Sequence, residues 1–152
     1  MGFMKNQYLL DFYKIAFLSM KQKVTGDKVN LAKPVLLFSV FDAIEDGSIT
    51  GNKIIYNKVK PIYETILGKV QAEPTPLKYP FYHMSSDGFW KLEWKSDAPK
   101  IPSVPSDKFM RENLDYAMFD QALWDLLQDK EIRDFYRNAI SGYYKMQIEN
   151  TR

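Results

Sequence analysis

The spacing of apolar residues predicts two long helices in the first third of the chain. Apolar side chains recur at three- and four-residue intervals over residues 5–23, with Phe12 in the stripe, which is typical of an amphipathic helix. A turn over residues 25–27 ends this helix. A second helix is predicted over residues 33–46, with Pro34 at the first helical position. Its apolar residues cover nearly the whole circumference, so we expect it to be central and buried.

Weaker patterns predict the remaining helices. Residues 57–67 form a third helix, in which Pro61 is tolerated only within the first turn and Gly68 follows the last residue. Three more helices are predicted: over residues 106–113, after a capping Asp120, and from a capping Asp129 to about Lys145, with Tyr143 on its apolar stripe.

Short extended segments predict a small sheet. Residues 53–56 and 116–119 have strand-like compositions, and Trp90, Leu92 and Trp94 alternate with charged residues in a third segment. The expected architecture is therefore α+β, with several helices packed around a small antiparallel sheet in one domain that spans residues 1–152.

A tight β-hairpin is the most informative local prediction. Residues 79–94 carry a Tyr-Pro step and several aromatic side chains on either side of a Ser-Asp-Gly turn. Gly88 in that turn can adopt a positive φ, which favours a hairpin. The shelf of aromatic residues suits either a small apolar ligand group or the protein core. The flanking residues 69–78 and 96–106 are predicted to be loops.

Composition and length indicate a folded protein. The chain has 152 residues, of which 45% are apolar and 15% aromatic. No apolar window is long enough to span a membrane, and the N-terminal residues lack the layout of a secretory signal. The absence of cysteine excludes disulfides and thiolate chemistry. We therefore expect a cytoplasmic protein without a membrane partner.

The distribution of charge says more than the net charge of +2. Lysines predominate over residues 1–33 and 53–69, whereas acidic residues gather over residues 115–134. Such a polarity could steer a polyanion to one face, although an uneven solvated surface explains the charges equally well.

Catalytic motifs are missing from the sequence. A single histidine and no cysteine cannot form a His-rich metal site or a zinc finger, and no glycine-rich phosphate loop or serine-hydrolase elbow is present. Asp42, Glu45 and Asp46 are interpreted as solvated carboxylates at a helix end, and His83 as a hydrogen-bonding surface residue. We expect a binding module with no catalytic residue, metal or cofactor.

Three segments resemble a known family. Residues 33–47 are similar to its His-Lys-Pro-Leu-Leu-Leu-Leu segment and acidic-Gly helix end, and residues 79–90 to its Tyr-Pro-Phe…Asp-Gly-x-Trp signature. Residues 119–144 resemble its closing Leu-Trp-x-Leu-Leu and Arg-x-x-Leu helices. The family is the N-terminal sulfur-binding domain of McrA-type, phosphorothioate-dependent restriction endonucleases. The resemblance spans about residues 31–145 in matching order.

The resemblance implies recognition of DNA in which sulfur replaces a non-bridging phosphate oxygen. Tyr79, Pro80 and His83 match the positions that line the pocket for the backbone atom. The remaining site residues that it suggests are Lys33, Lys91, Lys108 and Arg111 for phosphates, and Asn30 and Ser85 for hydrogen bonds.

Two departures from the family pattern stand out. The position of His83 is usually small and apolar, so this pocket would be more polar. Leu31 and Ala32 stand where family members carry a basic residue that contacts phosphate and base. In the family an HNH nuclease domain follows, so we expect this chain to be either part of a longer enzyme or a free-standing relative that does not cut DNA.

Two hypotheses of different classes follow. The first is a DNA-binding specificity domain of a restriction-endonuclease-like defence protein, whose partner is double-stranded DNA with or without phosphorothioate. The second is a protein-interaction or structural module on the same fold, which the loss of basic residues at Leu31 and Ala32 favours. The sequence leaves a homodimer open in either case.

Overall fold

The predicted α+β architecture is confirmed. The structure is a computed structural model and describes residues 7–22, 24–25 and 28–146. Its seven described α-helices are α1 Gln7–Leu18, α2 Ala32–Asp46, α3 Tyr56–Val70, α4 Lys78–His83, α5 Asp107–Asn113, α6 Gln121–Leu126 and α7 Lys130–Tyr144. The described strands are β1 Val24–Thr25, β2 Lys28–Val29, β3 Trp90–Trp94 and β4 Leu114–Phe119, and a 3₁₀ turn spans Met84–Asp87.

The sheet that supports the site consists of β3 and β4. The two strands pair antiparallel, with Trp90 opposite Phe119 and a register shift between Glu93 and Trp94. Ile54 forms one bridge with Ala117 on the other edge of β4. The predicted strand over residues 53–56 is therefore reduced to a single bridge, because α3 already begins at Tyr56.

Helix α2 is the centre of the core, as predicted. Every residue from Ala32 to Phe41 is buried, and the helix packs against α3, α4 and α7. Gly47 ends it in the left-handed conformation, with φ 83°. The helix begins one residue before Lys33, so Pro34 occupies the third helical position instead of the first. A proline fits there too, because the first turn has no intrahelical acceptor for its amide.

The predicted bounds of α1 and α3 were wrong. Helix α1 ends at Leu18, and its Phe12 is 60% exposed instead of facing the core. Beyond the helix, the Lys21 amide donates to Asp87 Oδ1, 3.0 Å away. The predicted turn at Gly26 and Asp27 lies outside the described residues.

Helix α3 contains two residues that were expected to limit it. Pro61 lies in its second turn, and Gly68 is inside the helix, which continues to Val70. Its buried face, formed by Tyr56, Val59, Tyr63 and Leu67, holds the helix together across the missing amide.

The predicted hairpin over residues 79–94 is also wrong. Its first half forms α4 and the 3₁₀ turn, and β3 pairs with β4 instead. Pro80 is compatible with helix because it falls in the first turn of α4. The Phe81 ring lies between the rings of Tyr56 and Trp90, with centroids 5.1 Å away in both contacts. Gly88 does take a positive φ, 95°, but it joins the 3₁₀ turn to β3.

Two of the three predicted helix caps are confirmed. The side chains of Ser106 and Asp129 accept from Phe109 N and Glu131 N at 3.0 and 2.9 Å. Asp120 precedes α6 without capping it and accepts from the Tyr13 hydroxyl at 2.9 Å.

The carboxylates at the end of α2 have structural partners. Arg137 on α7 donates to Asp42 at 2.7 Å and to Glu45 at 2.8 Å, and Arg133 donates to Glu45 at 3.0 Å. Both arginines are buried. The interpretation of Asp42 and Glu45 as merely solvated was therefore wrong, because they join α2 to α7. Asp46 is exposed, as that interpretation expects. Tyr143 on α7 also differs from the prediction, because it was expected on the apolar stripe and is exposed instead.

Candidate nucleic-acid interface

One face of α4 presents two of the predicted pocket residues. Tyr79 and His83 are four residues apart, so they lie on the same face of the helix, and both are exposed. Pro80 is buried beside Phe81, which anchors the opposite face in the core. The Lys78 ammonium lies 4.9 Å from the centroid of the Tyr79 ring. This arrangement places an aromatic ring, an imidazole and a cation together on the surface.

A cavity of about 610 Å³ adjoins this face. Three predicted site residues meet at it, namely His83, Ser85 and Lys91. Its other lining residues are Tyr82, Ser86, Trp90, Leu92, Trp94 and Ile101. The 3₁₀ turn after α4 supplies one side of the cavity and β3 the other. The cavity therefore combines an aromatic and aliphatic wall with a polar rim.

The polar groups at the rim have partners that orient them. Ser85 Oγ donates to the Tyr82 carbonyl at 2.8 Å, so its lone pairs remain available to a ligand. The His83 ring meets the Tyr82 ring edge to face, with centroids 5.2 Å apart. The Lys91 ammonium lies 3.1 Å from Glu93 but remains largely exposed. A phosphate could compete for that ammonium, because exposed ion pairs are weak.

Lys33 does not reach the surface where it was predicted to meet phosphate. Its ammonium lies 2.6 Å from Asp87 Oδ2, and both side chains are nearly enclosed. The other oxygen of Asp87 accepts from the Lys21 amide. Lys33 therefore fixes the 3₁₀ turn that carries Ser85, which corrects its predicted role as a phosphate contact.

Asn30 is also occupied within the fold. Its Nδ2 donates to Thr75 Oγ1, and its Oδ1 accepts from Ala32 N, each at 2.8 Å. The side chain thus satisfies an amide at the start of α2 and ties it to the segment before α4. Each amide atom keeps a second hydrogen-bonding position and the side chain is partly exposed, so its role in offering hydrogen bonds to DNA stays a prediction.

Helix α5 carries the last two predicted residues, Lys108 and Arg111, both exposed. Arg111 Nε donates to Asp107 Oδ2 at 2.8 Å, while Tyr56 and Lys60 contact Oδ1 at 2.7 and 3.2 Å. Burial alone would raise the pKa of Asp107, but these hydrogen bonds outweigh it and lower the pKa to about 2. Arg111 is therefore held by a carboxylate.

The α5 surface is connected to the cavity through one aromatic contact. The Phe109 ring packs against Trp94, with centroids 5.7 Å apart. The structure thus brings His83, Ser85 and Lys91 together, places Tyr79 next to them, and leaves Lys108 and Arg111 on a separate helix that packs against the same sheet.

Three features of this surface were missed from the sequence. Lys78 directly precedes Tyr79 in the sequence, and this adjacency could have indicated that its ammonium lies beside the Tyr79 ring. The partnership of Lys33 with Asp87 and the contribution of Ile101 to the cavity depend on residues far apart in sequence. They had no detectable local signal.

The described residues give no sign of metal chemistry or of a membrane span. They contain no group of three or more His, Cys, Asp or Glu side chains that could hold a metal ion. None of the helices in the described ranges is both long and apolar enough to cross a membrane.

Comparison with known proteins identifies the fold. No family model and no curated protein matches the chain in sequence. Solved structures do match, and they share its α+β fold. The particular fold is that of the sulfur-binding domains of McrA proteins, so the predicted resemblance is confirmed at the level of structure.

Three structures support this conclusion. The sulfur-binding domain of SprMcrA complexed with phosphorothioated DNA has a TM-score of 0.69 and 16% identity, covering 91% of this chain and 87% of that chain. The sulfur-binding domain of ScoMcrA complexed with phosphorothioated DNA gives 0.63 and 16%, covering 88% and 87%. A ScoMcrA structure with sulfur-binding and SRA domains, also complexed with phosphorothioated DNA, gives 0.65 and 14%. The alignment with it covers 86% of this chain and 40% of that longer chain.

Proposed function

We propose that this chain is a DNA-binding domain that reads phosphorothioate-modified backbone and does not itself cut DNA. The observation that carries the proposal is the Tyr79–His83 face of α4, which lies beside a cation-rimmed cavity in a fold whose solved neighbours are complexed with phosphorothioated DNA. DNA as the partner implies a cytoplasmic location in a bacterial cell, with restriction-type defence as its setting.

The chemistry of sulfur suits this face. Sulfur is larger, softer and less strongly hydrated than oxygen, so an apolar contact favours it. The Tyr79 ring supplies such a contact next to the rigid Pro80 segment. The modified linkage keeps its negative charge, and Lys78 and Lys91 lie where they can balance it. His83 adds a polar group to the same face, so selectivity for sulfur rests chiefly on Tyr79.

The set of phosphate contacts differs from the predicted one. Lys91 and Lys108 remain in it because their ammonium groups are exposed, and Lys78 joins them. Arg111 can contribute only if a phosphate competes with Asp107 for its guanidinium. Lys33 leaves the set, because its ammonium is paired with Asp87 inside the fold.

A matched pair of lysine variants tests DNA binding. Lys91 and Lys130 are both exposed, at 73% and 70% of their side chains, and each pairs with one carboxylate. We expect Lys91→Ala to weaken binding to every duplex and to reduce the slope of log K against log salt by about one unit. Lys130→Ala should leave both unchanged, because α7 lines no part of the cavity. Equal effects of the two variants would contradict the proposed interface.

A second candidate function has one observation in its favour. Tyr8, Phe12 and Ile15 form an exposed apolar stripe along α1, and such a stripe is typical of a contact surface for another protein. Absence of any salt-sensitive DNA binding would favour this protein-interaction function over the first.

A further inference from the structure

The cavity between the 3₁₀ turn and β3 has a built aromatic wall that the backbone contact at Tyr79 does not use. Trp90 forms the buried base of this wall, because it is only 3% exposed, its Nε1 donates to the Phe81 carbonyl at 2.9 Å, and its ring packs on Phe81 and Phe119. Trp94 is braced from α5 by Phe109. Trp94 is only partly buried, so it is the tryptophan with surface left for a ligand. Because it is held in place before any ligand arrives, a flat group could pack on it at little cost in side-chain entropy.

The rim of the cavity has the opposite character. Lys91 contributes a cation, and His83, Ser85 and Ser86 contribute hydrogen-bonding groups. The hydroxyls of Ser85 and Ser86 both donate to backbone carbonyls, so their free lone pairs can accept from a ligand. A ligand that fits must present a flat aromatic body with hydrogen-bond donors and a negative charge at its edge.

The volume of the cavity is adequate for such a group. At about 610 Å³, it falls within the range of roughly 300–1,000 Å³ that is typical of small-molecule pockets. A nucleobase attached to its phosphate has the required shape, donors and charge. Base stacking on aromatic side chains is a common way in which proteins hold unpaired nucleotides.

The position of His83 connects this cavity with the proposed backbone site. His83 lies on the same face of α4 as Tyr79, and it also lines the cavity. A strand whose linkage contacted Tyr79 would therefore bring its neighbouring nucleotide towards the mouth of the cavity. Within the described residues, no other residue that lines the cavity also lies on the Tyr79 face of α4.

We propose that this cavity accepts an unstacked nucleobase from the nucleotide next to the recognised linkage. The inference rests on the proposed function and deepens it, because it adds a base-binding subsite to a backbone reader. Extruding a base from a duplex costs a few kcal/mol, and the cost is least for a mismatched base. A mismatch beside the linkage should therefore strengthen binding.

Two tryptophan substitutions in the same loop provide the test. Ile101→Trp places a large ring in the cavity, whereas Val104→Trp adds the same ring at an exposed position that does not line it. Fluorescence anisotropy would compare a fully paired phosphorothioated duplex with two duplexes of the same length. Each of these would carry one mismatch, on the 5′ or the 3′ side of the linkage.

We expect the unmodified chain and Val104→Trp to bind one mismatched duplex about tenfold more tightly than the paired duplex. Ile101→Trp should bind the paired duplex normally and lose this preference. Equal affinity of the unmodified chain for all three duplexes would overturn the inference, as would a preference that survives Ile101→Trp. If the proposed function itself is wrong, the chain should show no salt-sensitive binding to any duplex. That result would overturn the inference as well.

Discussion

Lys33 and Asp87 form an enclosed ion pair beneath the candidate site. Their charged atoms are 2.6 Å apart, and only 9% and 3% of the two side chains are exposed. The pair joins the start of α2 to the 3₁₀ turn that follows α4, and Asp87 also accepts from the Lys21 amide. Three separate segments of the chain therefore meet at one carboxylate, and the turn that carries Ser85 and Ser86 is fixed by it.

Removal of one partner should be costly because it leaves the other charge enclosed without compensation. We expect Asp87→Asn to lower the free energy of unfolding by about 3–5 kcal/mol, measured by urea denaturation. Lys130→Met breaks the exposed pair with Asp134 on α7 and should cost less than about 1 kcal/mol. Similar costs for the two variants would show that the Lys33–Asp87 pair is not a special contact.

The Asp107 cluster predicts a pH dependence of stability. The pKa of Asp107 is lowered from 3.8 to about 2, so the folded state binds its proton less readily than the unfolded state does. Asp107 therefore stabilises the fold fully above about pH 4, and this contribution is lost as the pH falls towards 2.

Asp107→Asn isolates that contribution. The unmodified chain should be more stable than the variant at pH 6, and the difference in the free energy of unfolding should shrink between pH 4 and pH 2. Urea denaturation at several pH values would measure it. A difference that stays constant with pH would mean that the carboxylate is not stabilised by its partners.

Gly88 has a backbone conformation that other residues rarely adopt. Its φ is +95°, and a Cβ added there would meet no atom within 4 Å, so the cost of a side chain is backbone strain alone. We expect Gly88→Ala to lower the free energy of unfolding by about 1–2 kcal/mol. Gly51→Ala is the matched control, because Gly51 is equally open and has no positive φ. Its thermal or urea unfolding should change little, and equal losses in both variants would contradict the explanation.

The sequence was sufficient for the elements whose signals are local. The apolar circumference of α2, the glycine after it and the caps at Ser106 and Asp129 all predicted what the structure shows. The hairpin failed for a physical reason: Pro80 is compatible with a helix start as well as a turn, and Gly88 with the end of a 3₁₀ turn as well as a hairpin. The packing of Phe81 between Tyr56 and Trp90, which accompanies the helix, depends on tertiary structure.

The candidate site was only partly predictable for a similar reason. His83, Ser85 and Lys91 are close in sequence, and they do meet at one cavity. The role of Lys33 could not be predicted, since a lysine at a helix start is equally compatible with a phosphate contact and with an internal pair. Its partner Asp87 lies 54 residues away. A choice between these roles depends on tertiary structure, which no local pattern encodes.

The proposed function requires the Tyr79 face to distinguish sulfur from oxygen in a DNA backbone. Fluorescence anisotropy with two duplexes of identical sequence, one of them carrying a single phosphorothioate of natural stereochemistry on each strand, measures this most directly. The matched variants are Tyr79→Ala and Tyr143→Ala, which remove an exposed tyrosine from α4 and from α7.

We expect the unmodified chain and Tyr143→Ala to bind the sulfur-bearing duplex at least about tenfold more tightly, which corresponds to roughly 1.4 kcal/mol. Tyr79→Ala should bind both duplexes with similar affinity. Equal affinity of the unmodified chain for the two duplexes would contradict the claim and leave a DNA-binding domain with no preference for sulfur.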